Sequence, residues 1–303
     1  MKIGLIGMGR MGYNLGLNMV EKGHEVIVYN RTYEKAENFA RKSGSATAAE
    51  TIDEMVSLLP GPRVIWMMVP AGEAVDQIVA KIMPLLAEED ILIDGGNSFY
   101  KDSQKRAAKL SKDGIHLLDI GTSGGIEGAR NGACMMVGGS RPAYERVQRL
   151  LADICVKDGC DYMGPSGAGH FVKMIHNGIE YGIMQAIGEG FEVLDRSQFS
   201  LNYESIAKVW AHGSVIRGWL MELTREAFAK DPGLESSPGV VGQSGEGLWT
   251  LQTALEEGVP IPAIQAAVNT RFRSNQSKET FSQKVIQAMR HQFGGHDTKT
   301  RLE

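Results

Sequence analysis

The sequence predicts an α/β fold: an N-terminal Rossmann-type, doubly wound sheet followed by an all-α domain. Three observations predict it. Short apolar runs alternate with helix-length segments up to about residue 164, a glycine-rich turn follows the first run directly, and helical periodicity takes over from there to the end. The 303 residues suffice for one large or two ordinary domains, and 43% apolar with 22% charged residues is an ordinary globular composition. A net charge of -4 supplies no bulk attraction to nucleic acid or an anionic membrane, so neither is an expected partner.

Residues 2–6, 25–29, 64–69, 91–94, 116–120 and 133–137 are read as strands, with helices at 11–22 and 33–43 between the first of them. Alternation at this spacing argues for a parallel sheet with right-handed crossovers. Beyond Gly164 the chain is read as helices broken by loops at 231–233, 237–247 and 258–262. A boundary is therefore expected near 161–165, dividing a dinucleotide-binding domain (1–164) from a helical substrate-binding and oligomerisation domain (165–303). Cys134, Cys155 and Cys160 form no C-x-x-C pair and are expected as small, reduced residues; no metal site is expected. Apolar stretches stop well short of the roughly 18 residues a membrane span needs. Met1 leads at once into a strand-like run, so no secretory leader is expected and the cytoplasm is the expected location.

Gly7-Met8-Gly9-Arg10-Met11-Gly12 fits G-x-G-x-x-G in the required context, after an apolar strand and at the start of a helix. Gly7 serves the tight turn, Gly9 lets a pyrophosphate approach the backbone, and Gly12 lets the helix pack on the strand. The helix N-terminus offers N–H groups and a positive dipole end to phosphates. After the second strand stands Asn30-Arg31-Thr32, where a carboxylate would select NAD by binding the ribose hydroxyls. Arg31 instead suits a 2′-phosphate, so NADP is expected, with NAD as a weaker alternative. Three more loops end strands: Val69-Pro70-Ala71-Gly72, Asp94-Gly95-Gly96-Asn97-Ser98 and Gly121-Thr122-Ser123-Gly124-Gly125. Their small residues permit close backbone contact, and Asn97 and Ser123 supply neutral hydrogen bonds.

The segment from Gly167 to Gly182, read as a helix, puts Lys173, His176, Asn177, Glu180 and Tyr181 on one face. Phe171, Val172, Ile175, Ile179 and Ile183 flank it, so these charged groups are expected to be partly buried, with shifted proton affinities. Gly178, Gly182, Gly188 and Gly190 each cost about 1 kcal/mol in a helix relative to alanine, so close packing or ligand approach is expected to offset them.

Together these segments resemble the β-hydroxyacid dehydrogenases, and within them the 6-phosphogluconate dehydrogenase family. The glycine turn with Asn30-Arg31-Thr32, and Ser123-Gly124-Gly125 leading to Gly128-Ala129-Arg130, are common to the superfamily. The loop at Asn97 and the run Lys173-Met174-Ile175-His176-Asn177-Gly178-Ile179-Glu180-Tyr181 are narrower. Met289-Arg290-His291-Gln292-Phe293-Gly294-Gly295-His296 resembles the family's C-terminal segment, which enters a neighbouring subunit's substrate site. Arg271 matches another anion-binding arginine. The chain resembles the family's short form, with one copy of the helical unit. It departs at Gln243-Ser244-Gly245-Glu246-Gly247-Leu248-Trp249, where Ser244 occupies a substrate-binding lysine position, and at Val69-Pro70-Ala71, where the family has Val-Lys-Ala.

The resemblance implies oxidation and decarboxylation of 6-phospho-D-gluconate to D-ribulose 5-phosphate with NADP, a step of the pentose phosphate pathway. Lys173 would act as base and then acid at C3, its proton affinity lowered by burial and by Arg271 and Arg290. Glu180 would deliver a proton to C1 of the enediol. His176, Asn177 and Tyr181 would position the substrate, Asn97, Ser123, Gly124 and Gly125 its carboxylate end, and Arg271, Arg290 and His296 its phosphate. Gly7 to Gly12, Asn30, Arg31, Thr32, Val69, Pro70, Ala71 and Asn97 would hold the cofactor. The tail implies a homo-oligomer. Two rivals are a dehydrogenase of a small unphosphorylated hydroxy acid and a non-catalytic NADP-binding regulator.

Overall fold

The computed structural model describes residues 1–276 and 278–295, so His296 lies outside the described residues. Two compact units emerge, Met1–Met174 and Ile175–Glu303.

The first unit is built on one sheet. Its strands are β1 (Lys2–Ile6), β2 (Glu25–Tyr29), β3 (Thr47–Ala49), β4 (Val64–Met67), β5 (Ile91–Asp94), β6 (His116–Ser123), β7 (Ala133–Gly139) and β8 (Cys155–Gly164). Between them run α1 (Arg10–Glu21), α2 (Tyr33–Ser43), α3 (Ile52–Ser57), α4 (Glu73–Ile82), α5 (Tyr100–Leu110), α6 (Gly125–Asn131) and α7 (Arg141–Ile154). The sheet order is β3-β2-β1-β4-β5-β6-β7-β8. Strand residues bury both faces in alternation: Ile3, Leu5, Val26, Val28 and Trp66 join one core, and Ile6, Ile27, Ile65, Met67 and Leu92 the other. The order reverses between β2 and β4 around β1, and the loops leaving β1 and β4 border that switch point, where such sheets take ligands.

The sheet is mixed rather than wholly parallel: β6 and β7 pair antiparallel, while the other neighbours are parallel. The connection explains this. Only residues 124–132 join β6 to β7, and a parallel crossover needs about a dozen residues or more. Two strands escaped the sequence reading. β3 is three residues long, and β8 is a largely exposed edge strand whose register shifts against β7. Neither presents an apolar alternation.

In the second unit lie α9 (Tyr203–Ala211), α10 (Trp219–Lys230), α11 (Glu246–Glu256), α12 (Pro262–Ser274) and α13 (Phe281–Gly294), together with most of α8 (Ala168–Asp195). Its core gathers Met184, Phe191, Met221, Phe228, Ile286 and Met289, with the Phe191 and Phe228 ring centres 5.0 Å apart. Further breaks in the helices fall at 196–202 and 212–218, and Glu246 and Gly247 belong to α11 rather than to the preceding loop. Among the described residues, no helix is long and apolar enough to cross a membrane.

The α8 glycines divide. A Cβ at Gly178 would lie 2.8 Å from Thr250, and one at Gly188 2.8 Å from Ser282, so these two are demanded by packing. Gly182 and Gly190 would meet nothing within 4 Å, so of the two expected causes, close packing or ligand approach, packing does not apply to them. We therefore expect Gly190→Ala to raise stability by roughly 0.5–1 kcal/mol through helix propensity alone. Gly188→Ala should instead lose about 1–3 kcal/mol to overpacking. Denaturant melts of both variants check the contrast.

Candidate active site

The glycine turn is shaped as its motif requires. Gly7 adopts φ +101° and donates to the Tyr29 carbonyl at 2.9 Å. A Cβ at Gly12 would overlap the Gly7 carbonyl, whereas one at Gly9 would meet nothing within 4 Å. Gly9 caps α1 without a side chain, so no side-chain cap stands between the start of α1 and a ligand. Asn30 is engaged by the protein: its Oδ1 accepts from the Met8 N–H at 2.9 Å, and its Nδ2 donates to the Thr32 carbonyl at 2.9 Å. It thus ties the end of β2 to the turn, while Arg31 and Thr32 stand exposed beside it.

A buried carboxylate organises the next two loops. Asp94, fully buried, accepts from Ser98 Oγ at 2.7 Å and from the Gly96 N–H at 3.2 Å, folding the loop so that Asn97 is exposed. Arg106 lies 3.6 Å from Asp94, bonds Asp76 at 2.7 Å and donates to the Gly72 carbonyl at 3.1 Å. It thereby links the loop after β5 to Val69-Pro70-Ala71-Gly72. At the end of β6, Gly124 takes φ +105° ahead of α6, and Ser123 pairs with Cys134 of β7. Arg130, part of the superfamily-like stretch, is committed to an ion pair with Glu21.

Lys173 is seated by backbone contact. A Cβ at Gly121 would overlap Lys173 Cβ, and one at Gly169 would overlap the Asp119 carbonyl, so the first turns of α8 rest directly on β6. Asp119 completes the seat: its carboxylate accepts from the Gly167 N–H at 2.7 Å and the His170 N–H at 2.9 Å. Those are N–H groups at the helix start that lack partners within the helix. Burial pushes the Asp119 carboxyl above its usual range, opposed by His170 and these two N–H groups. His170 Nδ1 in turn meets Ser103 Oγ of α5 at 2.8 Å. Lys173 is 7% exposed. Burial raises the nearby Cys134 thiol, and the positive charge of Lys173 opposes that shift.

From Ile175 onward, α8 supplies Asn177 and Tyr181, both buried, and the half-buried His176 and Glu180. His176 Nδ1 lies 3.0 Å from Asn177 Oδ1 and 3.9 Å from Glu180 Oε2. The flanking apolar residues behave differently from expectation: Ile179 and Ile183 are 51% and 46% exposed. Helix geometry is the reason, since residues two positions from members of the Lys173–Asn177–Tyr181 line point to the other side of α8. The polar stripe is the buried one.

Tyr181 lies in a cluster of buried charged groups. The Arg271 guanidinium stacks 3.4 Å from its ring centre, Ser244 bonds its hydroxyl, and burial raises the phenol. Arg271 donates to the Gly242 carbonyl at 2.8 Å, and Arg290 of α13 donates to Gln287 at 2.8 Å. Burial holds Arg271 down to about 10, with Arg290 adding like charge, while Tyr181, Glu180 and Glu246 favour its charged form. Arg290 is lowered by the same burial. No cluster of His, Cys, Asp or Glu among the described residues is arranged to hold a metal ion.

The sequence reading missed Asp94, Arg106, Asp119 and Glu246. Asp119 carried a signal: an acid inside the apolar run Leu117-Leu118-Asp119-Ile120 needs buried donors.

Comparison with known proteins accounts for both units. Residues 2–164 match the family model described as the NAD binding domain of 6-phosphogluconate dehydrogenase, and residues 169–301 match that for the 6-phosphogluconate dehydrogenase C-terminal domain. YqeC of Bacillus subtilis, whose own assignment as a 6-phosphogluconate dehydrogenase is provisional, is 49% identical over 301 residues, covering 99% of this chain and 100% of that protein. An NAD-dependent, decarboxylating 6-phosphogluconate dehydrogenase of Haloferax volcanii is 40% identical over 299 residues, covering 98% of each. The solved 6-phosphogluconate dehydrogenase of Plasmodium falciparum, described with NADP and with 6-phosphogluconate, superposes with a TM-score of 0.84 at 35% identity. That likeness covers 90% of this chain but 62% of the longer one.

Asp119→Asn should cost about 1–3 kcal/mol, because an amide accepts one of the two N–H bonds and sets its own NH₂ against the other. Thermal melts measure this; an unchanged midpoint would remove Asp119 from the seating of α8.

Proposed function

The chain belongs to the 6-phosphogluconate dehydrogenase family, and from that membership we propose that it converts 6-phospho-D-gluconate to D-ribulose 5-phosphate and carbon dioxide, with NADP as cofactor. The observation that carries this reading is the buried Lys173 on the same helix as Glu180, about 10 Å apart along its axis. That spacing suits two groups serving different carbons of one extended substrate.

The residues fit the cofactor. Open space at Gly9 and the uncapped N-terminal end of α1 suit the pyrophosphate, and the exposed Arg31 with Thr32 suits a 2′-phosphate. When bound, NADP supplies the acceptor for the hydride leaving C3. Gly7 to Gly12 and the Val69-Pro70-Ala71 and Asn97 loops would hold it, with Asn30 shaping the turn. NAD is the runner-up, since the residue pattern alone speaks for the 2′-phosphate.

Lys173, buried at 7% exposure, takes the C3 hydroxyl proton as general base. The resulting ammonium then hydrogen-bonds the C3 carbonyl while the β-carboxylate departs as carbon dioxide. Glu180 delivers the proton to C1 of the enediol, steadied by His176 at 3.9 Å. Asn177 orients the C3 oxygen, and Ser123, Gly124, Gly125 and Asn97 receive the carboxylate end. Tyr181, Arg271 and Arg290 hold the phosphate. Residues 1–164 thus serve the cofactor and 165–303 the substrate. A second reading, an unphosphorylated hydroxy acid, is favoured by Ser244 standing where the family has a lysine.

A homo-oligomer follows from the outer side of α8, where Ile179, Ile183 and Val193 (72% exposed) present apolar surface to solvent. The tail would then complete a neighbouring site.

Lys173→Met and Glu180→Gln should each lower kcat by about 10²–10⁴ while NADP binding persists; near-normal turnover in either would refute its role. Arg31→Ala should raise the KM for NADP about ten-fold or more and leave that for NAD nearly unchanged. Equal effects would dismiss the 2′-phosphate assignment. Dilution to the dissociated subunit should abolish activity, and an active monomer would count against the shared site.

A further inference from the structure

Glu246 is the second residue of an unusual pair in the charged cluster. It opens α11, is 2% exposed, and neither of its carboxylate oxygens has a hydrogen-bond partner among the described residues. A Cβ on the next residue, Gly247, would fall 2.5 Å from the Tyr181 ring, so the start of α11 abuts Tyr181, and the Glu246 charge acts on Tyr181, Arg271 and Arg290. Arg271, 3% exposed, likewise has an Nη2 with no partner. A buried orphan acceptor and a buried orphan donor in one charged cluster are costly unless a ligand meets both. The arginines and the α11 N-terminus ask for an acceptor, and Glu246 asks for a donor. A fully ionised phosphate satisfies the first and not the second, because it brings only acceptors and two negative charges to an unpaired carboxylate. The charged and titratable groups facing this point are Glu180 and Tyr181 from α8, Glu246 from α11, Arg271 from α12 and Arg290 from α13. The two cations are matched by two carboxylates.

We infer that Glu246 is a specificity-determining residue: it makes this cluster a receptor for a ligand end that donates as well as accepts, namely a phosphate ester carrying one proton. The P–OH donates to Glu246, while the other phosphate oxygens accept from Arg271, Arg290 and Ser244. This rests on the proposed phosphosugar acid substrate. A terminal hydroxyl offers the same chemistry from a different source.

The test is the pH dependence of 6-phosphogluconate binding to the full chain, read as KM and as a calorimetric Kd between pH 5.5 and 8.5. The second phosphate ionisation lies near a pKa of about 6. KM and Kd should therefore rise about ten-fold per pH unit above pH 7, as the singly protonated ester disappears. Glu246→Gln should flatten that rise and tighten binding at pH 8 by about ten-fold or more, while Glu246→Asp, which keeps the charge, should retain the slope. A flat profile in the natural protein, or a Glu246→Gln effect equal at pH 6 and pH 8, overturns the inference; the second outcome is what a merely structural role would produce. D-gluconate separates the sources. A kcat/KM for gluconate above that for 6-phosphogluconate at both pH values, lowered by Glu246→Gln, transfers the donor role to a hydroxyl and overturns the protonated-ester assignment. Failure of the functional reading looks different: 6-phosphogluconate then binds with the steep profile yet yields no NADPH at any pH. Absence of binding at both pH 6 and pH 8 overturns both.

Discussion

The Asp119 carboxylate, accepting the Gly167 and His170 N–H groups from within the sheet, is the interaction on which the candidate site depends. A charge at the centre of an apolar strand is expensive, and its burial shift shows that cost. The helix start offsets it, since its unpaired N–H groups and positive dipole end suit an anion. Gly121 and Gly169 remove the side chains that would hold α8 away from β6. What results is a helix whose first turns are indexed to the sheet backbone, with Lys173 about one turn beyond the clamp. A side chain placed this way needs no loop to order it, which suits the role of base proposed for Lys173.

The same helix shows how far the sequence could be read. The polar line Lys173–Asn177–Tyr181 was legible because helical offsets are rigid, and so was the glycine turn, where Gly7 and Gly12 each answer a separate steric demand and Gly9 leaves open space. Strands β1, β2 and β5 were legible because burial on both faces makes them continuously apolar. β8 was not, because an exposed edge strand carries no such signature, and the antiparallel β6–β7 pair was hidden in a connection length rather than a pattern. The direction of the apolar flank was misjudged at Ile179 and Ile183, since composition does not say which side of a helix meets its own chain. Asp94, Arg106 and Glu246 act through long-range partners or through the lack of them, and local sequence does not display either.

Charge arrangement links the fold to chemistry in the second unit. Arg271 stacked on Tyr181 and buried with Arg290 forms a cationic cluster whose pKa values burial lowers, to about 10 for Arg271, which leaves that guanidinium charged at neutral pH. Ser244 and Glu246 in the preceding loop and first turn of α11 temper it further. On the proposed reading, this cluster sets affinity, while Lys173 and Glu180 set turnover.

The central claim is oxidation coupled to loss of the carboxylate by a base and an acid on α8. The most direct measurement follows NADPH and carbon dioxide together when the full-length protein meets 6-phosphogluconate and NADP. The account predicts equal amounts of both, formed at the same rate. NADPH without carbon dioxide, or oxidation of 3-hydroxyisobutyrate with 6-phosphogluconate left untouched, would contradict it.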